Sequence, residues 1–253
     1  MKARVNFGGA DYQLDLDHPL DLSISLKSKT SSASAWYVDP PVFKAEQASV
    51  SEGGSTNFNQ ICFNPHAHMT HTECLGHITK EFYSVNQQVQ NFNFPCFLIT
   101  VEPTEVSGNL IIGLSQIKAR LEKRSLLKYI KALVIRTLPN PETKLTKKYD
   151  HTNPPYFSAE AMQYIVDQGI EHLLIDLPSV DKEKDGGALT AHKTFWGLTG
   201  PGPIRVSASI TEFIFIEDDI KDGFYLLNLQ IAPIENDASP SRPILYQLDK
   251  TES

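Results

Sequence analysis

The run His66-Ala67-His68-Met69-Thr70-His71-Thr72-Glu73-Cys74-Leu75-Gly76-His77 places four of the protein's eight histidines and one carboxylate within twelve residues. Imidazole nitrogen and carboxylate oxygen both offer lone pairs to a borderline or hard divalent cation, so this crowding suits zinc, manganese or iron. In an extended segment alternate side chains share a face, and His71 and Glu73 would grip one ion together. A solvated polar loop is the competing reading, and a lone histidine would deserve it. His18, His151 and His172 lack such neighbours and read as structural or solvated.

Upstream of this run, Arg4 to Phe7 and Tyr12 to Leu16 alternate around Gly8-Gly9, which predicts an opening hairpin, with a short strand at Leu22 to Leu26 after it. From Lys27 to Asn59 the composition shifts to Ser, Pro, Gly and Asn, the chemistry of a long loop. Phe97 to Val101 reads as a buried strand. Leu114 to Ile130 has the spacing of an amphipathic helix, with Leu121, Leu126, Leu127 and Ile130 on or near one stripe. Ala132 to Thr137 is a β-branched buried strand. Ser158 can cap a helix running to about Gln168, Gly169 can end it, and Glu171 to Leu177 is a further strand. That strand, helix, strand order predicts a parallel crossover. Thr211 to Ile216 and Tyr225 to Ile231 complete a strand-rich α/β chain, read as one domain over residues 1–253.

Composition narrows the function classes. With 253 residues, 41% apolar and 21% charged, the chain can bury a substantial core. A net charge of -7 opposes attraction to phosphate backbones and anionic lipid, so neither nucleic acid nor membrane is an expected partner. Met1 to Asp15 lacks a signal-peptide core, and no apolar run approaches the roughly 20 residues that cross a bilayer. A cytoplasmic protein is expected. Cys62, Cys74 and Cys96 are odd in number and show no Cys-x-x-Cys spacing, which favours reduced thiols serving as small core residues. The absence of a Gly-x-Ser-x-Gly elbow disfavours a serine hydrolase. Cys74 beside His71 or His77 is a weak nucleophile candidate, because adjacent positions rarely place thiol and base productively.

Thr70-His71-Thr72-Glu73-Cys74-Leu75-Gly76-His77 resembles the cyclase-family signature His-x-Gly-Thr-His-x-Asp-x-Pro-x-His, the family that includes bacterial kynurenine formamidase. Asp176-Leu177-Pro178-Ser179-Val180-Asp181 and Ala191-His192-Lys193 resemble its Asp-Ser-Pro-Ser-Val-Asp and Ala-His-Arg segments. Leu133 to Thr137 is similar to its Leu-Ile-Arg-Thr strand, and Asp21-Leu22-Ser23 to its opening Asp-Leu-Ser. The resemblance implies a single strand-rich α/β domain of the swivelling β/β/α type and a metal-dependent hydrolase. It also implies one or two divalent ions per chain, zinc or manganese, held by an upstream histidine with His71, Glu73, His192 and Glu212. His77 matches the proton-transferring histidine, and Trp36 a substrate-contacting tryptophan. The implied partners are a small-molecule substrate and further copies of the chain in a homo-oligomer. Glu212 also carries a physical argument: an ionised carboxylate in an apolar strand is costly to bury without a cation.

Three positions depart from the signature. Its Asp is Glu73, one methylene longer; its Gly is Met69 and its Pro is Leu75, which changes backbone shape and pocket lining. Its first histidine falls at Ala67, flanked by His66 and His68. His66 is the favoured substitute, through a one-residue bulge after Asn64-Pro65, with His68 the alternative. The implied reaction is hydrolysis of a small carbon–nitrogen amide, an aryl formamide or cyclic amide, by metal-activated water. The alternative is a non-catalytic metal- or ligand-binding protein that keeps the cyclase fold.

Overall fold

The computed structural model describes residues 1–27, 32–122 and 127–251. The chain opens with the expected hairpin, β1 (Lys2–Phe7) and β2 (Ala10–Asp15), turned by Gly8 and Gly9, both at positive φ. Two successive left-handed positions suit glycine and give a turn whose twist matches the strands. β3 (Leu20–Asp21) is shorter than the strand expected at Leu22 to Leu26, and beyond it a single bridge joins Ser23 to Ile214.

The segment read as one long loop contains a second hairpin, β4 (Val42–Ala48) and β5 (Phe58–Cys62). Its aromatic and β-branched residues favour extended backbone although Val42, Phe43, Phe58 and Ile61 are exposed. The hairpin leads through Asn64 into α1 (Pro65–His68), a single turn, and then into β6 (His71–Glu73). There follow α2 (Val85–Gln88), β7 (Asn93–Val101), β8 (Thr104–Val106), β9 (Asn109–Ile112) and α3 (Leu114–Leu121). The helix expected to reach Ile130 ends at Leu121, where Glu122 turns to ψ 138°. Leu127 and Ile130 are buried beyond it, whereas Leu126 lies outside the described residues.

β10 (Ala132–Thr137) and the short β11 (Tyr156–Phe157) precede α4 (Ala159–Asp167), which begins at the expected cap: Ser158 Oγ accepts from the Ala161 N–H at 3.2 Å. β12 (His172–Ile175), α5 (Thr190–Phe195), β13 (Ser209–Glu212), β14 (Gly223–Ile231), β15 (Ala238–Gln247) and β16 (Asp249–Lys250) complete the chain. The strand expected over Thr211 to Ile216 stops at Glu212 because Phe213 is left-handed, φ 55°, and donates its N–H to the Leu177 carbonyl.

Among the described residues seven strands close into a barrel in the order β14, β7, β10, β12, β13, β6, β15, with β15 pairing back onto β14. β7, β10, β12 and β13 run parallel, including the expected crossover from β10 to β12, and β6, β14 and β15 pair antiparallel. Parallel strands covered on both faces read as near-continuous apolar runs, which is how these appear in sequence. Ile99, Leu133, Ile135, Leu173 and Ile175 pack beneath α3, α4 and α5 against Ile117, Met162, Ile165 and Phe195. Cys96, Leu98, Val134, Leu174, Leu227 and Leu245 fill the other side. Truncating Met162 or Ile165 to alanine in such a core costs about 2–5 kcal/mol. Among the described residues no helix is long and apolar enough to cross a membrane.

Candidate metal centre

Strand register assembles the site. In the antiparallel pairing of β6 with β13, Glu212 lies opposite His71 and Ile210 opposite Glu73. Alternate residues share a face, and Ile210 belongs to the core beneath the helices, so His71, Glu73 and Glu212 all face the helical layer. The expected common face of His71 and Glu73 is therefore observed. On the opposite face Thr72 and Thr211 share a hydroxyl hydrogen bond of 2.8 Å. α5 brings His192 down onto the charged face, with Nε2 3.0 Å from Glu73 Oε1 and 3.9 Å from Glu212 Oε1.

His71 carries the most telling geometry. Its Nδ1–H donates to the Met69 carbonyl at 3.1 Å, which leaves Nε2 as the lone-pair nitrogen. That buried Nε2 has no hydrogen-bond partner, yet lies 3.5 Å from Glu212 Oε2 and 4.0 Å from Glu73 Oε2. A lone pair aimed at two buried carboxylates is repulsive unless a proton or a metal ion sits among them, and the convergence of several such donors suits a divalent ion. The donor set of imidazoles and carboxylates fits zinc or manganese.

His66 was expected to reach the cluster through a bulge in extended chain; the structure uses a turn of helix instead. Pro65 occupies the first helical position and the Asn64 side chain accepts the His66 N–H at 3.0 Å. Residues two apart in a helix differ by about 200° around its axis, so His66 and His68 diverge where strand alternation would have aligned them. His66 Nδ1 lies 3.0 Å from Glu73 Oε2. His68 turns away, its Nδ1 accepting from the Asn64 N–H at 3.0 Å, and burial lowers its pKa. His77 stands on a short turn, Leu75–Ile78, with its ring stacked 4.2 Å from that of His66 and Nε2 3.8 Å from Glu73 Oε2. Gly76 permits that turn: a Cβ there would collide with the Tyr83 carbonyl.

Two further carboxylates belong to the cluster. Asp181 is buried; its Oδ1 caps α5 at the Ala191 N–H (2.7 Å) and its Oδ2 holds His192 Nδ1 at 2.6 Å. The mixed charges of residues 181–185 concealed it, although Asp181 ended one of the family-like segments. Asp237 Oδ2 lies 2.7 Å from His66 Nε2 and 3.4 Å from His77 Nδ1. No local signal marks Asp237, since only the pairing of β15 with β6 brings it there.

Opposed charge sets the ionisation of the group. Burial works against a charged His192, but Asp181 and Glu73 outweigh it and carry the pKa to about 10. His66 behaves likewise: burial lowers, Asp237 and Glu73 raise, and the result is about 10. Glu73 stays well below the usual carboxylate range despite burial because His77, His192 and His66 surround it. Glu212 is pushed up by burial and by the charge of Glu73. The metal-free cluster thus holds protons where the donor atoms converge.

Other sequence expectations fall outside the cluster. Trp36 is half-buried against a satellite core containing Phe213, whose ring centroid lies 6.1 Å from that of His71. Arg242 pairs with Asp21, at 2.8 Å from Nε. His18 is exposed; His172 is buried and shares a 2.8 Å hydrogen bond with Ser209. Cys74 and Cys96 are core thiols as expected, whereas Cys62 on β5 is exposed.

The cyclase family, described as "Putative cyclase", matches residues 15–182 of the chain. The chain therefore belongs to the cyclase family. It is 26% identical to the kynurenine formamidase of Bacillus thuringiensis (strain Al Hakam), over 92% of this chain and 96% of that protein. An isatin hydrolase bound to the product analogue thioisatinate superposes with a TM-score of 0.66 at 18% identity, covering 91% of this chain and 92% of that one. A potential metal-dependent hydrolase with cyclase activity gives 0.61 at 17% identity, over 90% and 97% of the two chains. These structures share the fold.

Proposed function

We propose that this protein is a metal-dependent hydrolase of a small carbon–nitrogen amide, an aryl formamide or a cyclic amide. The observation that carries the proposal is the orphaned His71 Nε2 facing Glu73 and Glu212 at the bottom of a histidine cluster. His66, His71, Glu73, His192 and Glu212 would hold one or two divalent ions, zinc or manganese. A divalent ion held there lowers the pKa of water and polarises a carbonyl. The naming of relatives as kynurenine formamidase and isatin hydrolase supports an amide as substrate.

His77 is the proton carrier. Its side chain is 30% exposed, unlike the enclosed His71 and His192, so it can meet a substrate while its Nε2 faces Glu73. It takes a proton from the attacking water and returns it to the departing nitrogen. Trp36, beside the Phe213 cluster, supplies an apolar wall for an aryl group. His68 is assigned no ligand role.

The exposed Phe43, Phe58 and Ile61 of the β4–β5 hairpin, which runs directly into α1, support assembly of copies through this arm. Light scattering is expected to give a mass above the monomer's 28.3 kDa at micromolar concentration. The free thiols suit the reducing cytoplasm.

The test of function is turnover of a formanilide-type substrate by metal-loaded protein across a panel of amides, lactams and esters. Activity on amides that disappears in His77→Ala while metal stays bound is the expected result. Bound metal with no turnover on any member would favour the non-catalytic alternative.

A further inference from the structure

Ala67 is fully buried and offers no ligand, so the ring that enters the cluster is that of His66, one residue earlier. That ring stands on a single turn of helix, stacks on His77 at 4.2 Å and retains 19% exposure. Two carboxylates hold it, one at each nitrogen: Glu73 Oε2 at 3.0 Å from Nδ1 and Asp237 Oδ2 at 2.7 Å from Nε2.

We infer that Asp237 is a positioning residue that orients His66 and His77 together, and so restores, from the residue just before β15, the ligand geometry the chain lost at Ala67. This rests on the metal-dependent reading above. One oxygen, Oδ2, serves both rings: it lies 2.7 Å from His66 Nε2 and 3.4 Å from His77 Nδ1. An imidazole that commits one N–H to a carboxylate turns its other nitrogen outward as a lone pair, and the partner fixes which nitrogen that is. Here the outward atoms are His66 Nδ1 and His77 Nε2, and both face Glu73 Oε2, at 3.0 and 3.8 Å.

The backbone on either side of the carboxylate is itself anchored. Ala238 stands opposite Glu73 in the β15–β6 register, and the Asp237 carbonyl accepts the Cys74 N–H at 2.9 Å. The preceding Asn236 carbonyl accepts the Val85 N–H at 2.8 Å, and the Asn236 side chain donates to the Ala238 carbonyl at 3.0 Å. The backbone that carries Asp237 is thus bonded to the residue after Glu73, which holds the two acidic residues at neighbouring points of the register. The stacked His66 and His77 rings, 4.2 Å apart, occupy the gap between them.

Zinc competition titrations on the full chain compare wild type, Asp237→Asn, His66→Ala and the double variant, with circular dichroism confirming that each is folded. Asp237→Asn is expected to keep the wild-type stoichiometry while weakening zinc about 10- to 100-fold, the range for an outer partner of a ligating histidine. The double variant is expected to match His66→Ala alone, because the carboxylate acts through that ring. In zinc-loaded protein labelled with nitrogen-15 histidine, His66 is expected to show a protonated Nε2 and a metal-bound Nδ1, and Asp237→Asn to mix its tautomers. Unchanged affinity in Asp237→Asn, losses that multiply in the double variant, or a stoichiometry that falls because Asp237 is itself a ligand would each overturn the inference while leaving the metal reading intact. Wild-type protein that takes up neither zinc nor manganese would instead remove the metal reading, and this inference with it.

Discussion

Two groups of buried acid lie close together in the barrel, one at the end of β12 and one across the β13–β6 pair, and they are neutralised in opposite ways. Asp176, directly after β12, is fully enclosed; it accepts the Thr137 N–H at 2.8 Å and hydroxyl at 2.9 Å, and Lys144 Nζ sits 2.7 Å from its Oδ2. Lys144 spends its remaining donors on the Thr137 carbonyl and Asn140. That group contains its own cation and is closed. Glu73 and Glu212, on β6 and β13, are equally buried, yet every ion pair the structure gives them is to a histidine. A histidine that yields its proton to an incoming divalent ion offers a lone pair in its place, whereas the Lys144 ammonium is tied to Asp176, Thr137 and Asn140 as a fixed counter-charge. The first arrangement holds structure, and the second leaves a place where protons and a metal ion can exchange.

The largest effect should come from breaking the closed pair. Asp176→Asn leaves the Lys144 ammonium buried without its counter-charge, and a loss of about 3–5 kcal/mol is expected in urea unfolding, with metal stoichiometry unchanged in protein that still folds. Glu73→Gln tests the open group. It should weaken metal binding by more than about a hundredfold, beyond the effect of an outer-sphere change, and abolish turnover, as isothermal titration and the amide assay would read. If Asp176→Asn removed metal, or Glu73→Gln left it in place, the contrast between the groups would fail.

A gentler effect separates two buried histidines of the metal-free protein by pH. His192 has a pKa near 10 in the folded state against an ordinary 6.5, so the folded form binds the extra proton between those values. Its contribution is fully present below about pH 6.5 and is lost as pH rises through about 10. His172 is the reverse: burial, helped by Arg205 and Lys131 against Glu171, lowers it to about 4. Its contribution is present above pH 6.5 and is lost as pH falls towards 4. Unfolding curves across pH should therefore show His192→Gln flattening the alkaline limb and His172→Gln the acid limb. The smallest effect is expected of His68→Ala, which should retain most of its metal, since its ring faces Asn64 rather than Glu73.

Local pattern reaches some of this and not the rest. The opening hairpin, the α4 cap at Ser158, the strand at Ala132–Thr137 and the shared face of His71 and Glu73 all follow from periodicity or turn chemistry within a few residues. The family-like segments singled out His192 and Glu212, which the barrel brings against Glu73 from more than a hundred residues away. What escaped was decided by tertiary pairing. The β4–β5 hairpin has little alternation because its described side chains are exposed on both faces. Asp237 becomes part of the cluster only through the β15–β6 register, and Asp181 only by folding back onto α5. At His66 the residue anticipated is the one that meets Glu73, but through a proline-initiated turn in place of a bulge, since Pro65 and Asn64 together start a helix.

The open carboxylate pair of Glu73 and Glu212 is predicted to take up a metal ion. Elemental analysis of purified protein, after loading with zinc or manganese and removal of excess ion under non-chelating conditions, is predicted to find about one to two equivalents per chain, the range for such a site. Retention below about 0.2 equivalents, far under the one-ion minimum for a ligand set of this kind, would contradict it.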